Sequence, residues 1–166
     1  TRVCLLEAGG PDASVLIHCP AGLALLARTG TANWSFETVP QPGLGGRRGY
    51  QPRGKTLGGS SSVNAMIYLR GAASDYDGWA AEGNPGWAWR DVLPWFRRSE
   101  HNERSADEHA RNGASALHGT GGPLNVMDLR SPHRFGPIFV DAAEQAGHAR
   151  NPDFNGATQE GAGLYQ

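Results

Sequence analysis

The sequence has little net charge and no long apolar run, and these two absences exclude several classes of protein. Its 15 lysine and arginine residues nearly balance its 16 aspartate and glutamate residues, so the net charge is −1. This balance gives no indication of binding to nucleic acid or to an anionic surface. No apolar stretch approaches the roughly 20 residues that a membrane-spanning helix requires, so no membrane span is predicted.

Cysteine is also scarce. Only Cys4 and Cys19 are present, too few for a disulfide framework, and both lie in apolar surroundings typical of buried thiols. A reducing compartment is therefore expected, and we predict a cytoplasmic protein. The six histidines show no metal-ligand spacing with either cysteine, so no metal site is predicted.

Glycine and proline, in contrast, are abundant, which is typical of a chain with many turns and loops. Apolar periodicity and capping residues predict helices over residues 20–28, 60–70, 74–81, 90–100 and 134–146. Strands are predicted over residues 3–6, 33–39 and 124–127, and loops over residues 40–53, 102–115 and 151–166. The tryptophans between residues 79 and 95 are predicted to form a packed aromatic core.

Residues 49–56 match the phosphate-binding loop pattern G-x-x-x-x-G-K-[ST], but their surroundings argue against it. That loop requires a hydrophobic strand before it and a helix that opens at Lys55 and Thr56. Residues 42–48 do not form such a strand, and Gly58 and Gly59 disfavour a helix immediately after the loop. Pro52 also removes one amide donor. A P-loop NTPase is therefore the least favoured hypothesis.

A shift of frame by a few residues gives a second interpretation of this stretch. Gly58 and Gly59 allow a ligand to approach the backbone closely, because neither carries a Cβ atom. Ser60 then opens the helix predicted over residues 60–70, whose N-terminus would attract a diphosphate, and Asn64 follows one turn later. The same residues are equally consistent with a glycine turn that leads into a capped core helix.

Glu7 favours the ligand-binding interpretation. The apolar run over residues 3–6 has the character of a strand buried in a parallel sheet, and Glu7 follows it directly. Dinucleotide-binding folds place the acidic acceptor for the ribose at this position. Their G-x-G-x-x-G fingerprint lies upstream of that position, and this sequence does not contain it.

Residues 54–71 resemble the first signature of the glucose–methanol–choline (GMC) flavoprotein oxidoreductases. Further motifs of that family follow the same order along the chain, with residues 102–115 as the main departure, and they lie at residues 6–9, 34–41, 75–79, 86–94, 118–124 and 153–156. The resemblance is greatest to choline dehydrogenase-like and related alcohol dehydrogenase members. It implies an α/β fold, with a partial FAD-binding Rossmann-like domain over residues 1–80. Residues 81–166 would then begin an α+β substrate domain.

The resemblance also implies roles for individual residues. Glu7 would bind the ribose in the adenosine half of FAD. The remaining cofactor-binding residues would line the diphosphate or lie beside the isoalloxazine, and they are Gly58, Gly59, Ser60, Asn64, Ala65, Met66 and Ile67. Some members tether FAD through a histidine immediately before the motif asparagine, but Val63 stands at that position, so we predict non-covalent FAD.

The function implied by the resemblance is oxidation of a choline-like or other primary alcohol. In the family a histidine base removes the hydroxyl proton while a hydride passes to the flavin. That histidine lies near the C-terminus of a chain several times longer, and no histidine here matches it. We therefore expect an N-terminal fragment of such an enzyme, with no catalytic residue and no activity of its own. A small-molecule alcohol is the expected partner, the electron acceptor is not indicated, and a binding-only FAD or nucleotide module is the alternative.

Overall fold

Short helices and two small sheets make up the computed structural model, which describes residues 2–19, 21–105 and 116–166. The chain divides into two units, Thr1–Met66 and Ile67–Gln166. This division precedes the boundary that we placed near residue 80. The assignment of the two parts to flavin and substrate stays a prediction.

Unit 1 is built from two short helices and a two-stranded antiparallel sheet. Its elements are α1 (Val15–His18), α2 (Gly22–Thr29), β1 (Phe36–Glu37), a 3-10 helix (Pro42–Leu44), β2 (Tyr50–Gln51) and a second 3-10 helix (Gly59–Ser61). Phe36 pairs with Gln51 in the sheet, and Glu37 pairs with Tyr50. Helix α2 confirms the helix predicted over residues 20–28 and buries Leu26. The strand predicted over residues 33–39 is confirmed only at β1, and β2 lies in a segment predicted to be loop.

The prediction of a buried strand over residues 3–6 was wrong. Val3 and Leu6 are 86% and 89% exposed, and Cys4 is exposed as well. A strand needs neighbours for its backbone and both faces, and no described residue pairs with this run. Cys19 is also exposed, so the expectation of buried thiols was wrong for both cysteines.

The helix predicted over residues 60–70 was also wrong. Only Gly59–Ser61 is helical, as a single 3-10 turn, and residues 65–72 have no regular structure. Asn64 donates its side-chain amide to the carbonyl of Ser61 at 2.7 Å, and its side-chain oxygen accepts from the N–H of Met66. Such local bonds compete with a helix, and Met66 takes a left-handed φ of 58° that ends any helical path.

Unit 2 follows the predicted elements closely. It contains α3 (Ala73–Ala81), α4 (Trp89–Ser99), β3 (Glu100–Asn102), β4 (Leu124–Val126) and α5 (Phe135–Gln145). The three helices and β4 confirm their predictions, and β3 pairs with β4 in parallel. Residue 102 of the predicted loop belongs to β3, and residues 106–115 lie outside the described part of the chain.

The tryptophans of unit 2 form a cluster of ring contacts, but the prediction of a packed core was wrong, because Trp79 and Trp87 are 47% and 51% exposed. Tyr76 packs against Trp79 and Phe96 with ring centres 5.3 and 5.7 Å apart, and Trp87 lies 5.7 Å from Trp79. Trp95 is 64% exposed, and its ring lies 5.6 Å from the guanidinium carbon of Arg98. On α5 the buried side chain is Val140, while three larger apolar residues of that helix are exposed, namely Phe135, Ile138 and Phe139.

Candidate functional site

The glycine–serine turn of unit 1 is held against a second segment that follows Glu7. Gly10 pairs in parallel with Thr56, and the N–H of Leu57 donates to the carbonyl of Gly10 at 2.9 Å. Gly9 makes this contact possible, since a Cβ atom there would lie 2.2 Å from the backbone of Lys55. The fold therefore brings the segment after Glu7 against the residues that lead directly into Gly58.

The turn itself exposes backbone rather than side chains. Gly58 and Gly59 have left-handed φ values of 85° and 57°, which suit glycine. The backbone N–H groups of Gly58, Ser60 and Asn64 donate to no described residue. These three N–H groups are therefore available to a ligand.

The predicted cofactor-binding side chains make mainly local contacts. Glu7 accepts a hydrogen bond from the N–H of Gly9 at 2.7 Å, and the hydroxyl of Ser60 accepts from the N–H of Gly54 at 3.0 Å. Ala65 is exposed, Met66 is 70% exposed, and Ile67, the first residue of unit 2, is 51% exposed. The helix that we predicted to direct its N-terminus at a diphosphate is not formed, so its dipole contributes nothing here.

A cleft of about 280 Å³ lies beside the turn within unit 1. Ser60, Val63 and Asn64 form one side of it, and Leu23 and Leu26 of α2 form another. The cleft therefore joins polar groups of the turn to apolar side chains of the helix.

The contacts of Lys55 and Thr56 argue against a phosphate-binding loop. The ammonium of Lys55 lies 4.6 Å from the ring centre of Trp34. The hydroxyl of Thr56 donates to the carbonyl of Gly10 at 3.0 Å, and the residue is buried. No helix begins at this pair among the described residues. Both side chains have structural contacts where a P-loop would direct them to nucleotide and Mg²⁺.

Unit 2 contains a buried ion pair that the sequence analysis missed. The side chains of Arg70 and Glu100 are fully buried and form a salt bridge. Arg70 also donates to the carbonyl of Leu117 at 2.7 Å, and Glu100 accepts from the N–H of Gly119 at 2.6 Å through the same oxygen that binds Arg70. Burial opposes ionisation of Glu100, but hydrogen bonds from His118, Arg70 and Gly119 outweigh it and lower its pKa to about 2.

His118 extends this network towards the surface. Its Nε2 lies 2.7 Å from Asp153 Oδ2, and its Nδ1 lies 3.3 Å from Glu100 Oε1. The hydrogen bond to Asp153, followed by the one to Glu100, raises the pKa of His118 to about 9 against the effect of burial. The protonated ring donates through both nitrogens, so Nδ1 does not accept from Asn102, whose amide donates to Gln166 at 3.2 Å.

The same cluster holds the backbone of residues 68–70. The side-chain oxygen of Asn155 accepts from the N–H of Arg70, and its amide donates to the carbonyl of Tyr68, both at 2.9 Å. The N–H of Tyr68 donates to the carbonyl of Gln166 at 2.9 Å, and the hydroxyl of Tyr76 donates to the carbonyl of Arg70. All four backbone polar groups of Tyr68 and Arg70 are therefore hydrogen-bonded.

Sequence reasoning missed this cluster because its members are far apart in the chain. Arg70 and Glu100 are 30 residues apart, and His118 and Asp153 are 35 apart. The sequence did contain one indication of close packing at this place, the glycine that directly follows His118. A Cβ atom on Gly119 would lie 1.7 Å from the carbonyl oxygen of Arg97, so the backbone passes too close to α4 for any other residue.

Comparison with known proteins places the chain in a family. The sequence model of the GMC oxidoreductase family matches residues 5–166, so the chain belongs to this family. The family resemblance of residues 54–71 is thereby confirmed.

Individual relatives agree with this assignment. An alcohol dehydrogenase [acceptor] from Pseudomonas putida is 47% identical over 165 residues, which are 99% of this chain and 29% of the relative. An oxygen-dependent choline dehydrogenase from Brucella anthropi is 42% identical over 97% of this chain and 28% of its own length. The crystal structure of pyridoxine 4-oxidase from Mesorbium loti superposes with a TM-score of 0.78 at 30% identity, over 93% of this chain and 29% of that chain. This similarity confirms the predicted α/β fold class.

The chain spans less than a third of the length of these relatives. Within the described ranges, no helix is both long enough and apolar enough to cross a membrane.

Proposed function

We propose that this chain is the part of an FAD-dependent alcohol oxidoreductase that holds the flavin dinucleotide. The observation that carries the proposal is the exposed glycine–serine turn beside the segment that follows Glu7, within the family signature at residues 54–71. The similar proteins named for alcohol and choline support a primary alcohol as the substrate. Oxidation by hydride transfer is the reaction that we assign to the whole protein.

The residues of the turn fit a flavin dinucleotide. Gly58, Ser60 and Asn64 each present a backbone N–H that donates to no residue in the described part of the chain, and such groups bind phosphate oxygens well. At Gly59 a Cβ atom would have no neighbour nearer than 4.0 Å, so the surface beside this residue is open to a ligand. Glu7 is exposed and retains acceptor capacity for a ribose hydroxyl after its one bond to Gly9.

The contribution of this chain to the reaction is binding and positioning. FAD supplies the hydride acceptor when bound. The turn would hold the diphosphate, and residues 64–67 would lie beside the isoalloxazine. No residue of this chain is assigned the removal of the hydroxyl proton, which belongs to a base outside the family motifs matched here.

The test of this function is reduction of bound flavin by alcohols. The protein expressed from its whole gene is mixed without oxygen with choline, ethanol or benzyl alcohol, and the flavin absorption is followed. We expect at least one of these alcohols to bleach the flavin, and later admission of air tests oxygen as the acceptor. Flavin that binds but is bleached by none of them would favour the binding-only module.

A single methyl group tests the position of the cofactor. Gly59→Ala places its Cβ on the open side of the turn, and we expect the dissociation constant for FAD to rise at least about tenfold. The matched control is Gly45→Ala, because Gly45 has a similar left-handed φ of 62° and equally open surroundings but lies outside the predicted site. Titration of the apoprotein with FAD measures both, and equal affinities in the two variants would contradict the assignment.

Val63 predicts how the flavin is attached. Valine has no nucleophilic atom, so denaturation with acid should release all of the FAD into solution. Flavin absorption that remains with the precipitated protein would contradict this prediction.

The cytoplasmic location that we inferred from the scarcity of cysteine remains a proposal.

A further inference from the structure

Two extended segments of unit 1 form an antiparallel ribbon that is longer than its named strands. Residues 32–41 run alongside residues 47–55, and the pairing of β1 with β2 lies at the centre of the ribbon. Further backbone hydrogen bonds continue it on both sides, and they join Lys55 to Ala32, Trp34 to Arg53 and Thr38 to Gly49 at 2.7, 2.8 and 3.0 Å. The ribbon therefore has two faces, each formed by alternate residues.

One face of this ribbon combines aromatic rings with cations. The rings of Trp34 and Phe36 stack with their centres 5.7 Å apart, so both side chains lie on the same face. The ammonium of Lys55 lies 4.6 Å from the ring centre of Trp34 and therefore belongs to this face as well. Arg53 and Arg47 are separated from Lys55 by even numbers of residues, so the alternation places them on the same face.

The charges of the ribbon are divided between its two faces. Glu37 is the one acidic residue in the two segments, and it pairs with Tyr50 on the face opposite to the aromatic rings. No carboxylate in the described part of the chain forms a salt bridge with a cation of the ribbon. The aromatic face therefore carries three cations and no anion.

The side chains of this face are accessible to a partner. Trp34 and Phe36 are 42% and 52% exposed, and both arginines are exposed as well. The guanidinium of Arg47 donates to the carbonyl of Leu44 at 3.0 Å, and that of Arg53 donates to the carbonyl of Pro52 at 2.6 Å. Each arginine thus keeps most of its five N–H donors for a carboxylate. Aromatic residues and arginine are also the types most enriched where proteins bind one another.

We propose that this face, formed by Trp34, Phe36, Arg47, Arg53 and Lys55, is a docking surface for an acidic polypeptide. Carboxylates of the partner pair with the arginines, and apolar side chains between those carboxylates pack against the two rings. The net charge of −1 for the whole chain conceals this local excess of positive charge, because nearly all of the acidic residues lie outside the ribbon. None of the five residues is among those predicted to bind FAD.

The test uses the protein expressed from its whole gene and a fluorescein-labelled peptide of ten residues in which glutamate alternates with leucine. Fluorescence anisotropy measures binding. We expect saturable binding that salt weakens and that Arg47→Gln weakens at least about threefold, as the loss of one exposed ion pair implies. Arg48→Gln is the matched control, because Arg48 is also exposed and donates to the carbonyl of Thr38 at 3.2 Å, but belongs to the opposite face. It should leave the affinity unchanged.

Two further probes define the chemistry of the partner. A peptide with glutamine in place of glutamate should bind at least about tenfold more weakly, since it lacks the charges. A single-stranded oligothymidylate of the same charge that binds as tightly as the acidic peptide would overturn the proposal in favour of a nucleic acid.

Two results with the acidic peptide itself would also overturn the proposal. Equal weakening by Arg47→Gln and Arg48→Gln would show general attraction between charges rather than docking on one face. Absence of binding by the unmodified protein would show that this face does not accept an acidic polypeptide in the whole protein.

Discussion

Replacement of Arg70 by methionine is expected to lower the free energy of unfolding by about 3–5 kcal/mol, the cost of leaving a buried charge without its partner. Arg70 and Glu100 are both fully buried, and the two side chains form a salt bridge. In Arg70→Met the Glu100 carboxylate keeps hydrogen bonds from Gly119 and His118 but loses its guanidinium. The carbonyl of Leu117 loses a donor as well. Denaturation with guanidinium chloride measures the loss.

Two further variants test whether the loss of stability comes from the buried ion pair. Arg150→Met breaks an exposed pair with Asp141, and surface pairs of that kind contribute little. The double variant Arg70→Met/Glu100→Gln removes the stranded charge and should recover at least about 1 kcal/mol of the loss. A loss for Arg70→Met no greater than that for Arg150→Met would show that the buried pair does not stabilise unit 2.

Stability should also depend strongly on pH because of His118. Its pKa is raised to about 9 from an ordinary value of 6.5, so its contribution is full below pH 6.5 and is lost as the pH rises towards 9. This shift corresponds to about 3 kcal/mol. Measurement of the unfolding free energy across that range should show the decline. In His118→Gln the decline should be much smaller, and an unchanged decline would contradict the assignment to His118.

At acidic pH the free energy of unfolding should decrease as the pH falls, and this loss comes from carboxylates rather than from His118. The pKa of Glu100 is lowered from 4.5 to about 2, so its contribution is present above pH 4.5 and is lost as the pH falls towards 2. Burial opposes ionisation of Asp153, the other carboxylate that faces His118. Its pKa is nevertheless lowered, because the hydrogen bonds from His118 and Asn155 and the charges of His118 and Arg104 together outweigh burial. The two limbs together place maximal stability between pH 4.5 and 6.5. His118→Gln should reduce the acid limb as well, because the hydrogen bond to His118 is the largest cause that lowers the pKa of each carboxyl group.

Elements with strong local signals could be predicted from the sequence. Helix α5 formed where the apolar periodicity of residues 134–146 indicated, because that signal acts within one or two turns. Helices α3 and α4 also formed where they were predicted, although the side chains of their N-cap residues make no capping bond. The helix predicted over residues 60–70 failed because Asn64 and the glycines before it favour local turns over helix. The run over residues 3–6 failed for a different reason, since a buried strand depends on neighbours that local sequence does not specify.

Some residues of the candidate site could likewise be predicted from the sequence, and others could not. The glycine–serine turn and Glu7 could be proposed from the sequence because ligand-binding motifs are contiguous, and their role in binding FAD stays a prediction. The cluster around Glu100 was missed because burial of a glutamate is unusual, and because the cluster combines four segments, namely residues 68–70, residue 100, residues 117–119 and residues 153–155. Ordered family motifs at residues 118–124 and 153–156 marked the positions of His118 and Asp153 without indicating their contact.

The most direct test of the account is titration of flavin-free protein, expressed from its whole gene, with FAD and separately with Mg²⁺ and ATP. We predict saturable, equimolar binding of FAD with a change in the flavin absorption spectrum, and no binding of ATP. Failure to bind FAD, together with ATP binding that Lys55→Ala abolishes, would contradict the account and restore the phosphate-binding loop.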